Sequence, residues 1–273
     1  MRRTIRRRVR PELEIVLVRE HDMSLQLADR RIGAMQPYLF PYLGYFQLIA
    51  AVDEFVLGDD LQYVKESWIN RNRVLINRQE KMITFPLKKS GHLSRINEKY
   101  FADDFPRQRL ALLKQLRNAY ANAPCFGQAF PLVEELIGHD EMNMARYAEH
   151  AIRGICAYLG IATAIRLSSS LELGSFSDRQ DRVIATVRRL GGDTYINPIG
   201  GVALYDAAYF SRHGIGLRFH RMDPVVYRQF GNPFVPSLSI IDVLMFNPKP
   251  ELSRLLQCYR VEDHAGECDR RYA

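Results

Sequence analysis

The sequence lacks the patterns that mark several large protein classes. No apolar run approaches the roughly 20 residues that a membrane-spanning helix needs. Neither a Gly-x-Ser-x-Gly nor a His-Glu-x-x-His segment occurs, so hydrolase chemistry has no motif behind it. The histidines show no metal-binding spacing, and Cys-x-x-Cys spacing is absent among Cys125, Cys156, Cys258 and Cys268. We therefore predict no membrane span, and we expect free thiols in a reducing, cytoplasmic compartment.

Basic charge is concentrated at the amino end of the chain. Of the net charge of +7, residues 1–31 carry +4, with nine Arg against five Asp or Glu. The remainder carries only +3, which does not supply the basic face that nucleic-acid binding needs. No apolar segment of a secretory signal follows the first ten residues. We interpret residues 1–31 as a basic, disordered extension, or as sequence upstream of a true start at Met23; a transit peptide is the other interpretation.

Apolar and helical patterns near the start predict a strand–helix–strand unit. Ile32–Met35 and Asp53–Gly58 are short apolar stretches, and helical spacing runs from Tyr45 to about Val52 between them. This unit is the usual start of a doubly wound sheet. Strand and helix patterns alternate again from residue 161 to 219. We predict an α/β fold: a Rossmann-like, doubly wound, mostly parallel sheet.

Two further patterns complete the predicted architecture. Arg73–Ile76 and Lys81–Phe85 predict a hairpin around a four-residue turn. Apolar residues at three- and four-residue intervals predict an inserted helical block over about 105–160. Ile215–Phe219 is predicted as the last strand, with two closing helices after it. We predict one α/β domain over residues 32–260 and a flexible tail over residues 261–273.

The loop after the first predicted strand has an unusual composition. Pro37 and Pro41 each fix φ near −65° and push the preceding residue toward an extended conformation. Gly44 can adopt a φ that other residues avoid, or let another group approach the backbone closely. Aromatic rings with hydroxyl tips stand at Tyr38, Tyr42 and Tyr45. We interpret the segment as a binding loop, with a packed structural corner as the alternative.

Polar residues follow the predicted strands where each strand ends. Ligands of doubly wound sheets bind at the carboxyl ends of strands, so these residues are expected to line one cleft. Asp59 and Asp60 are the candidate catalytic base and Mg²⁺ ligands, although adjacent acids also cap turns. Asn197–Gly201 either presents backbone N–H groups to an anion or forms a tight turn. The strand-end residues are Gln36, Asp59, Asp60, Ser168, Ser169 and Asn197–Gly201.

Cationic, amide and aromatic side chains after the second strand extend the predicted substrate or nucleotide site. The cations suit phosphates, although each alone also fits a solvated charge. Trp68 either stacks on a base or sugar or packs in the core. The full set of predicted binding residues is Gln36, Tyr38, Tyr42, Gly44, Tyr45, Gln62, Lys65, Trp68, Asn70, Arg71, Asn72, Lys88, Lys89, Ser168, Ser169, Asn197, Gly200, Gly201 and Tyr205.

Several of these segments resemble the WbqC-like protein family. The longest is Gln36-Pro-Tyr-Leu-Phe-Pro-Tyr-Leu-Gly-Tyr-Phe-Gln-Leu-Ile49, and the resemblance covers about residues 32–247. The sequence departs from the family pattern at Asp178–Arg182, where a lysine is expected. The other matching segments are Asp59–Lys65, Trp68–Asn72, Phe85–Lys88, Tyr195–Gly201 with Leu204-Tyr205, and Leu238–Asn247.

The resemblance implies a role in O-antigen or other surface-polysaccharide biosynthesis. It implies a glycine transferase that modifies an amino sugar, and our hypothesis is a transferase or an ATP-dependent ligase that attaches a small acyl or aminoacyl group, with glycine as a candidate. If the activated donor is made in place, ATP and Mg²⁺ are the expected cofactors. The expected partner is a small-molecule or sugar-nucleotide substrate. The alternative is a non-catalytic sugar-nucleotide-binding protein, and an RNA-binding protein is a third hypothesis. A looser analogy relates Tyr42-Leu-Gly-Tyr45 to the His-x-Gly-His turn with which nucleotidyltransferases hold ATP phosphates.

Overall fold

A six-stranded sheet organises the chain, in a computed structural model that describes residues 29–231 and 233–263. The strand order is β5-β2-β1-β6-β7-β8. The first five strands are parallel, and β8 pairs antiparallel with β7. The predicted Rossmann-like α/β class is confirmed. The strands are β1 Arg31–Met35, β2 Glu54–Leu57, β5 Ala164–Leu167, β6 Thr194–Pro198, β7 Gly216–Met222 and β8 Tyr259–Glu262.

Helices cover both faces of this sheet, as the alternation of side chains along each strand requires. On β2, Phe55 and Leu57 belong to one apolar cluster and Val56 to the other. The first cluster includes residues of α1 (Leu43–Ala50), α7 (Ile240–Phe246) and α8 (Lys249–Leu256). The second includes α5 (Arg179–Arg189) and α6 (Ala207–Arg212). The inner strands β2 and β6 are therefore almost fully buried, whereas the edge strands β5 and β8 carry charged residues and are more exposed.

The predicted helical block lies between the hairpin and β5. It comprises α2 (Phe105–Tyr120), α3 (Phe126–Gly138) and α4 (Met144–Leu159). The Asn143 side chain caps α4 by accepting hydrogen bonds from the backbone N–H groups of the first turn. Gly160 ends α4 with a φ of 74°, in the left-handed region that favours glycine. None of the described helices has the length and hydropathy of a membrane-spanning helix.

The hairpin forms a separate two-stranded sheet, and its predicted turn was too long. β3 (Arg71–Ile76) pairs with β4 (Gln79–Thr84), so the turn contains only Asn77 and Arg78. Their φ values are 51° and 62°, and two successive positive φ values are typical of a type I′ turn. Asn favours this conformation, whereas the polar residues 79 and 80 resemble a longer turn in sequence.

The carboxy-terminal end of the fold also differs from the prediction. β7 is not the last strand, because β8 pairs with it and extends two residues into the predicted tail. At the other end of the chain, Asp29 and Arg30 precede β1, which begins at Arg31 within the predicted extension. Residues 1–28 and 264–273, including Cys268, lie outside the described residues.

Candidate functional site

The carboxyl ends of four strands bring the predicted polar residues to one edge of the sheet. β5, β2, β1 and β6 are adjacent and parallel, so their ends follow one another along that edge. Ser168, Asp59, Gln36 and Asn197 stand at these ends in that spatial order. Ligands of doubly wound sheets bind at this edge.

Asp59 is a buried carboxylate that joins three segments of the chain. Its side chain is 2% exposed. Oδ1 accepts hydrogen bonds from the Ser168 hydroxyl at 3.1 Å and the Ser169 backbone N–H at 2.9 Å. Oδ2 accepts from the Ser169 hydroxyl at 2.6 Å and the Asn97 side-chain amide at 3.2 Å. Both oxygens are thus engaged, and Asp59 holds the ends of β2 and β5 together.

Asp60 has a different environment, since it is only partly buried and faces a cation. Its Oδ1 lies 2.5 Å from Arg182 Nη2 and is the nearer of the two carboxylate oxygens that share the single Ser168 hydroxyl proton. Burial raises the pKa of Asp60, but the hydrogen bonds from Arg182 and Ser168 outweigh it and lower the pKa below the usual carboxyl value. Asp60 is therefore ionised at neutral pH, beside a guanidinium.

Arg182 is the site residue that the sequence analysis missed. It lies in the first turns of α5, whose amino end is capped by the Asp178 side chain. The Asp206 backbone N–H donates to the Gln180 side chain at 2.7 Å and joins this end of α5 to α6. The available signal was the segment Asp178–Arg182, in which arginines stand where the family pattern has a lysine. A positive charge on this helix does reach the edge of the sheet.

The two acidic residues do not fit a shared Mg²⁺ ion in this arrangement. Asp59 uses both oxygens in hydrogen bonds, and Asp60 Oδ1 is held by Arg182 and Ser168. Within residues 29–231 and 233–263, no group of three or more His, Cys, Asp or Glu side chains is placed to hold a metal ion. We derive no catalytic step through a metal, and Mg²⁺ binding stays a prediction.

The proline- and tyrosine-rich loop is packed into the protein over much of its length. Phe40 is buried with a φ of 47°, and its carbonyl oxygen accepts hydrogen bonds from the Asn72 side-chain amide and the Ser239 hydroxyl, each at 2.7 Å. Tyr45 is fully buried and donates its hydroxyl proton to the Gln36 carbonyl at 2.9 Å. Asn72 and Tyr45 thus stabilise the loop itself, and the phosphate contact suggested by analogy is not open to Tyr45.

Gly44 is explained by the ring of Tyr42 and not by close approach of a ligand. A Cβ atom at position 44 would lie 2.4 Å from Cε2 of Tyr42. Tyr42 and Tyr38 are half-buried, and burial raises the pKa of both hydroxyls. The Tyr38 hydroxyl lies 3.5 Å from Oε1 of Gln36. These two rings and Gln36 are the parts of the loop left for contact with a ligand.

The remaining residues of the predicted binding set fall into buried and exposed groups. Asn70 is buried, accepts a hydrogen bond from the Tyr63 hydroxyl at 2.9 Å and donates to the Phe85 carbonyl at 2.8 Å. Trp68 is 44% exposed, and the Arg73 guanidinium lies 5.5 Å from the centroid of its ring. Trp68 is therefore not a core residue, whereas Asn70 is.

The predicted phosphate-binding cations contact other groups or solvent, and not Asp59 or Asp60. Lys88 forms an ion pair at 2.6 Å with the exposed Asp103, and Arg71 donates to the Glu66 carbonyl. Lys65 and Lys89 are exposed. Gln62 donates to the His92 carbonyl at 3.0 Å. Among the residues that the structure describes, none of these side chains contacts the carboxylate pair.

The segment after β6 forms a tight turn. Asn197 is buried, with the Tyr195 hydroxyl donating to its side chain at 3.1 Å, and it donates to the Pro198 carbonyl at 2.9 Å. A Cβ atom at Gly201 would lie 2.0 Å from Nδ2 of Asn197, whereas at Gly200 it would meet open space. A 3₁₀ helix, Ile199–Leu204, follows and ends at the half-buried Tyr205, before α6 begins. Of the two interpretations, the tight turn agrees with these contacts.

Open grooves also occur elsewhere on the surface. One of about 630 Å³ lies between β4 and α2 and is lined in part by Met82, Phe105 and Lys114. Another of about 590 Å³ lies at the amino ends of the strands, beside the ion pair of Arg31 and Asp53. Neither contains Asp60 or Arg182. We place the candidate site at the carboxyl edge because the strand topology and the charged pair coincide there.

The fold and this edge together define a doubly wound α/β protein whose candidate site pairs a carboxylate with a guanidinium. The chain belongs to the WbqC-like protein family, whose model matches residues 36–254. The matched region includes Asp60, Ser168 and Arg182, so the whole candidate site lies within it.

A curated relative covers nearly the same length. The chain is 28% identical over 233 residues to "Uncharacterized protein Rv1507c" of Mycobacterium tuberculosis (strain ATCC 25618 / H37Rv), which is 85% of this chain and 99% of the relative. No solved structure gave a significant match.

Proposed function

We propose that the protein is a transferase or ligase that attaches a small acyl or aminoacyl group, with glycine as the first candidate, to an amino sugar of a surface-polysaccharide precursor. Membership of the WbqC-like family supports a role in surface-polysaccharide biosynthesis, which is the role that the family resemblance implies. The contact of Asp60 with Arg182 at the carboxyl edge of the sheet carries the chemical part of the proposal.

This pair offers complementary charges to the groups that such a reaction brings together. An ionised carboxylate attracts an ammonium or amine, and a guanidinium attracts a carboxylate or a phosphate through paired N–H donors. An amino acid carries an ammonium and a carboxylate, and a nucleotide-linked amino sugar carries an amine and a diphosphate. The pair is also partly open to solvent, at 21% exposure for Arg182 and 17% for Asp60, so a ligand can reach either partner.

Amide formation also needs a group that accepts a proton from the attacking amine. As the nitrogen bonds to the acyl carbon it becomes far more acidic, so a carboxylate with a lowered pKa can still accept this proton. We assign that role to Asp60, with Arg182 holding the anionic group and Ser168 fixing the Asp60 oxygen. Asp59, whose oxygens are fully engaged, then positions Ser168 and Ser169 and takes no proton.

An activated donor made in place would require ATP as co-substrate, and the phosphate or nucleotide that ATP supplies to the carboxyl group would be the group that leaves the acyl carbon as the amine bonds to it. Arg182 is the cation beside Asp60 that suits a phosphate. Lys88 pairs with Asp103, Arg71 donates to the Glu66 carbonyl, and Lys89 is exposed. ATP dependence is therefore a separate arm of the test.

The experiment is incubation of the purified protein with glycine, ATP and a panel of nucleotide-linked amino sugars, followed by mass spectrometry. We expect an acceptor whose mass rises by one glycyl residue, with loss of product in Asp60→Asn and Arg182→Met. Asp53→Asn is the matched control, because Asp53 forms a similar ion pair with Arg31 at the opposite edge. No donor-dependent mass change with the unaltered protein, across amino acids and amines, would contradict the enzyme.

The second candidate is a non-catalytic protein that binds a sugar nucleotide. The lowered pKa of Asp60 and its engagement with Arg182 favour this alternative, because a stable ion pair suits holding a ligand. It predicts saturable binding without turnover, weakened by Arg182→Met.

A further inference from the structure

Lys99 is a buried lysine in a chain segment that is hydrogen-bonded to the backbone of Asp59. Its side chain, with the rest of the residue, is only 6% exposed. Nζ donates a hydrogen bond to the Ser90 hydroxyl and lies 4.7 Å from the centroid of the Tyr63 ring. Neither partner carries a negative charge, and burial lowers the pKa of Lys99. A buried ammonium that is balanced only by a hydroxyl and an aromatic face is unfavourable.

Nearby carboxylates do not neutralise Lys99, because each is engaged elsewhere. Glu98 accepts a hydrogen bond from the Arg95 backbone N–H at 2.8 Å. Asp103 pairs with Lys88. Asp59 is satisfied by serine and asparagine donors. Within the described part of the chain, no carboxylate oxygen lies within 4.0 Å of the Lys99 ammonium.

Lys99 is held close to Asp59 by backbone pairing. The Asn97 backbone N–H donates to the Asp59 carbonyl at 2.8 Å, and Lys99 follows two residues later in the chain. The Tyr63 backbone N–H donates to the Ser94 carbonyl at 2.9 Å, which joins the same two segments. Two residues span at most about 7 Å of chain. Lys99 therefore belongs to the layer directly beside the carboxyl edge.

Ser90 gives this ammonium a route to solvent. It is an exposed residue of the loop that follows β4, and Lys89 precedes it. The residue that Lys99 contacts thus lies at the surface, although the contact itself is partly buried, and rotation of the Ser90 side chain would open Nζ to a ligand. An ammonium has three donors, of which Ser90 takes one.

We propose that Lys99 and Ser90 form a subsite for a phosphoryl group. A phosphate oxygen in contact with Nζ supplies the missing negative charge, and another accepts the Ser90 hydroxyl proton. The exposed Lys89 adds long-range attraction. This inference goes beyond the proposed reaction, because phosphate binding at Lys99 is measurable without turnover and with or without an amino-sugar acceptor.

The test uses inorganic pyrophosphate as the probe, with acetate at the same ionic strength as the comparison anion. Calorimetric titration should show saturable pyrophosphate binding to the unaltered protein and to Lys114→Met, a control at an exposed lysine of α2. We expect Lys99→Met to weaken binding at least tenfold and Ser90→Ala several-fold. Equal binding by Lys99→Met and Lys114→Met, or no pyrophosphate binding by the unaltered protein, would overturn the proposal.

A second measurement covers the case in which Lys99→Met does not fold. Amine acylation followed by peptide mass spectrometry reports the reactivity of each lysine in the unaltered protein. Pyrophosphate should protect Lys99 and leave Lys114 unchanged. Protection of both or of neither contradicts a specific subsite. Protection by acetate as strong as that by pyrophosphate would identify a general carboxylate site and would overturn the phosphoryl assignment.

Discussion

Asp60 Oδ1 lies 2.5 Å from Arg182 Nη2, which joins the carboxyl end of β2 to the first turns of α5. The side chains are 17% and 21% exposed. The pair is therefore shielded enough for its charges to interact strongly, yet open enough for a ligand to reach it. The proposed function rests on this contact.

Removal of the guanidinium should shift the pH dependence of ligand binding. In Arg182→Met, Asp60 keeps its burial and loses its cation, so its pKa should rise. Because ligand binding uses ionised Asp60, the acid limb of a plot of affinity against pH should move to higher pH. Titration calorimetry across pH 4–7 measures it, with Arg31→Met as the control at the other edge. An unmoved acid limb in Arg182→Met would show that Asp60 is not the titrating group.

Asp59→Asn should reduce stability much more than Asp60→Asn does. The buried Asp59 carboxylate accepts four hydrogen bonds. In Asp59→Asn, an NH₂ group replaces one of the accepting oxygens and faces groups that are themselves donors. Loss of such contacts typically destabilises by about 2–4 kcal/mol. Chemical denaturation of the two variants measures the difference in the free energy of unfolding. Equal stability of both variants would contradict the structural role given to Asp59.

Gly44→Ala should destabilise the protein by about 1–3 kcal/mol, because the new methyl group would overlap the Tyr42 ring. Gly127→Ala is the matched control: it lies in α3, and a Cβ there meets nothing within 4 Å. That substitution should be neutral or stabilising by up to about 1 kcal/mol. In Gly44→Ala combined with Tyr42→Ala, the overlap is relieved. A non-additive result in a double-mutant cycle confirms the contact, and strict additivity contradicts it.

His220 should make the protein less stable as the pH falls from about 6.5. It is a buried residue of β7 whose ring lies 4.9 Å from that of Tyr259 in β8. Its Nε2 has no hydrogen-bond partner in the described residues, and burial lowers its pKa to about 4. The unfolded chain therefore binds a proton at higher pH than the folded protein does. The stability is complete above pH 6.5 and is lost as the pH falls toward 4, by about 3 kcal/mol.

His220→Phe isolates this effect. The free energy of unfolding of the variant should lack that part of the acid dependence, as measured by denaturation at several pH values. Asp242 has a raised pKa from burial, and its contribution has the opposite sign, since it weakens the fold as the pH rises. The comparison with the unaltered protein cancels that background. An identical pH dependence in both proteins would show that His220 titrates normally.

The sequence was informative where a short local pattern decides the structure. Apolar runs such as Phe55–Leu57 predict buried parallel strands, and Asp178 predicts the start of α5. The positions of the strand ends predict that Ser168 and Asn197 lie along one edge of the sheet. These inferences need only periodicity and the rule for ligand position in doubly wound sheets.

The parts that sequence patterns missed depend on contacts between distant residues. Asp60 and Arg182 are 122 residues apart, and no local pattern specifies that they meet. Tyr45 resembles a binding residue in sequence, yet its hydroxyl satisfies the Gln36 carbonyl inside the protein. Lys99 has no distinguishing local pattern, yet it is buried against Ser90 and Tyr63. Tertiary packing decides which polar side chains are open to a ligand and which form hydrogen bonds inside the protein.

The most direct test of the site is a thermal-shift comparison with a panel of nucleotides, nucleotide-linked amino sugars and amino acids. Ligands that bind the folded state raise the melting temperature as their concentration exceeds the dissociation constant. We predict a concentration-dependent shift with a nucleotide-linked amino sugar that is much smaller in Arg182→Met and retained in Arg31→Met. An equal shift in both variants would contradict a ligand site built on Asp60 and Arg182.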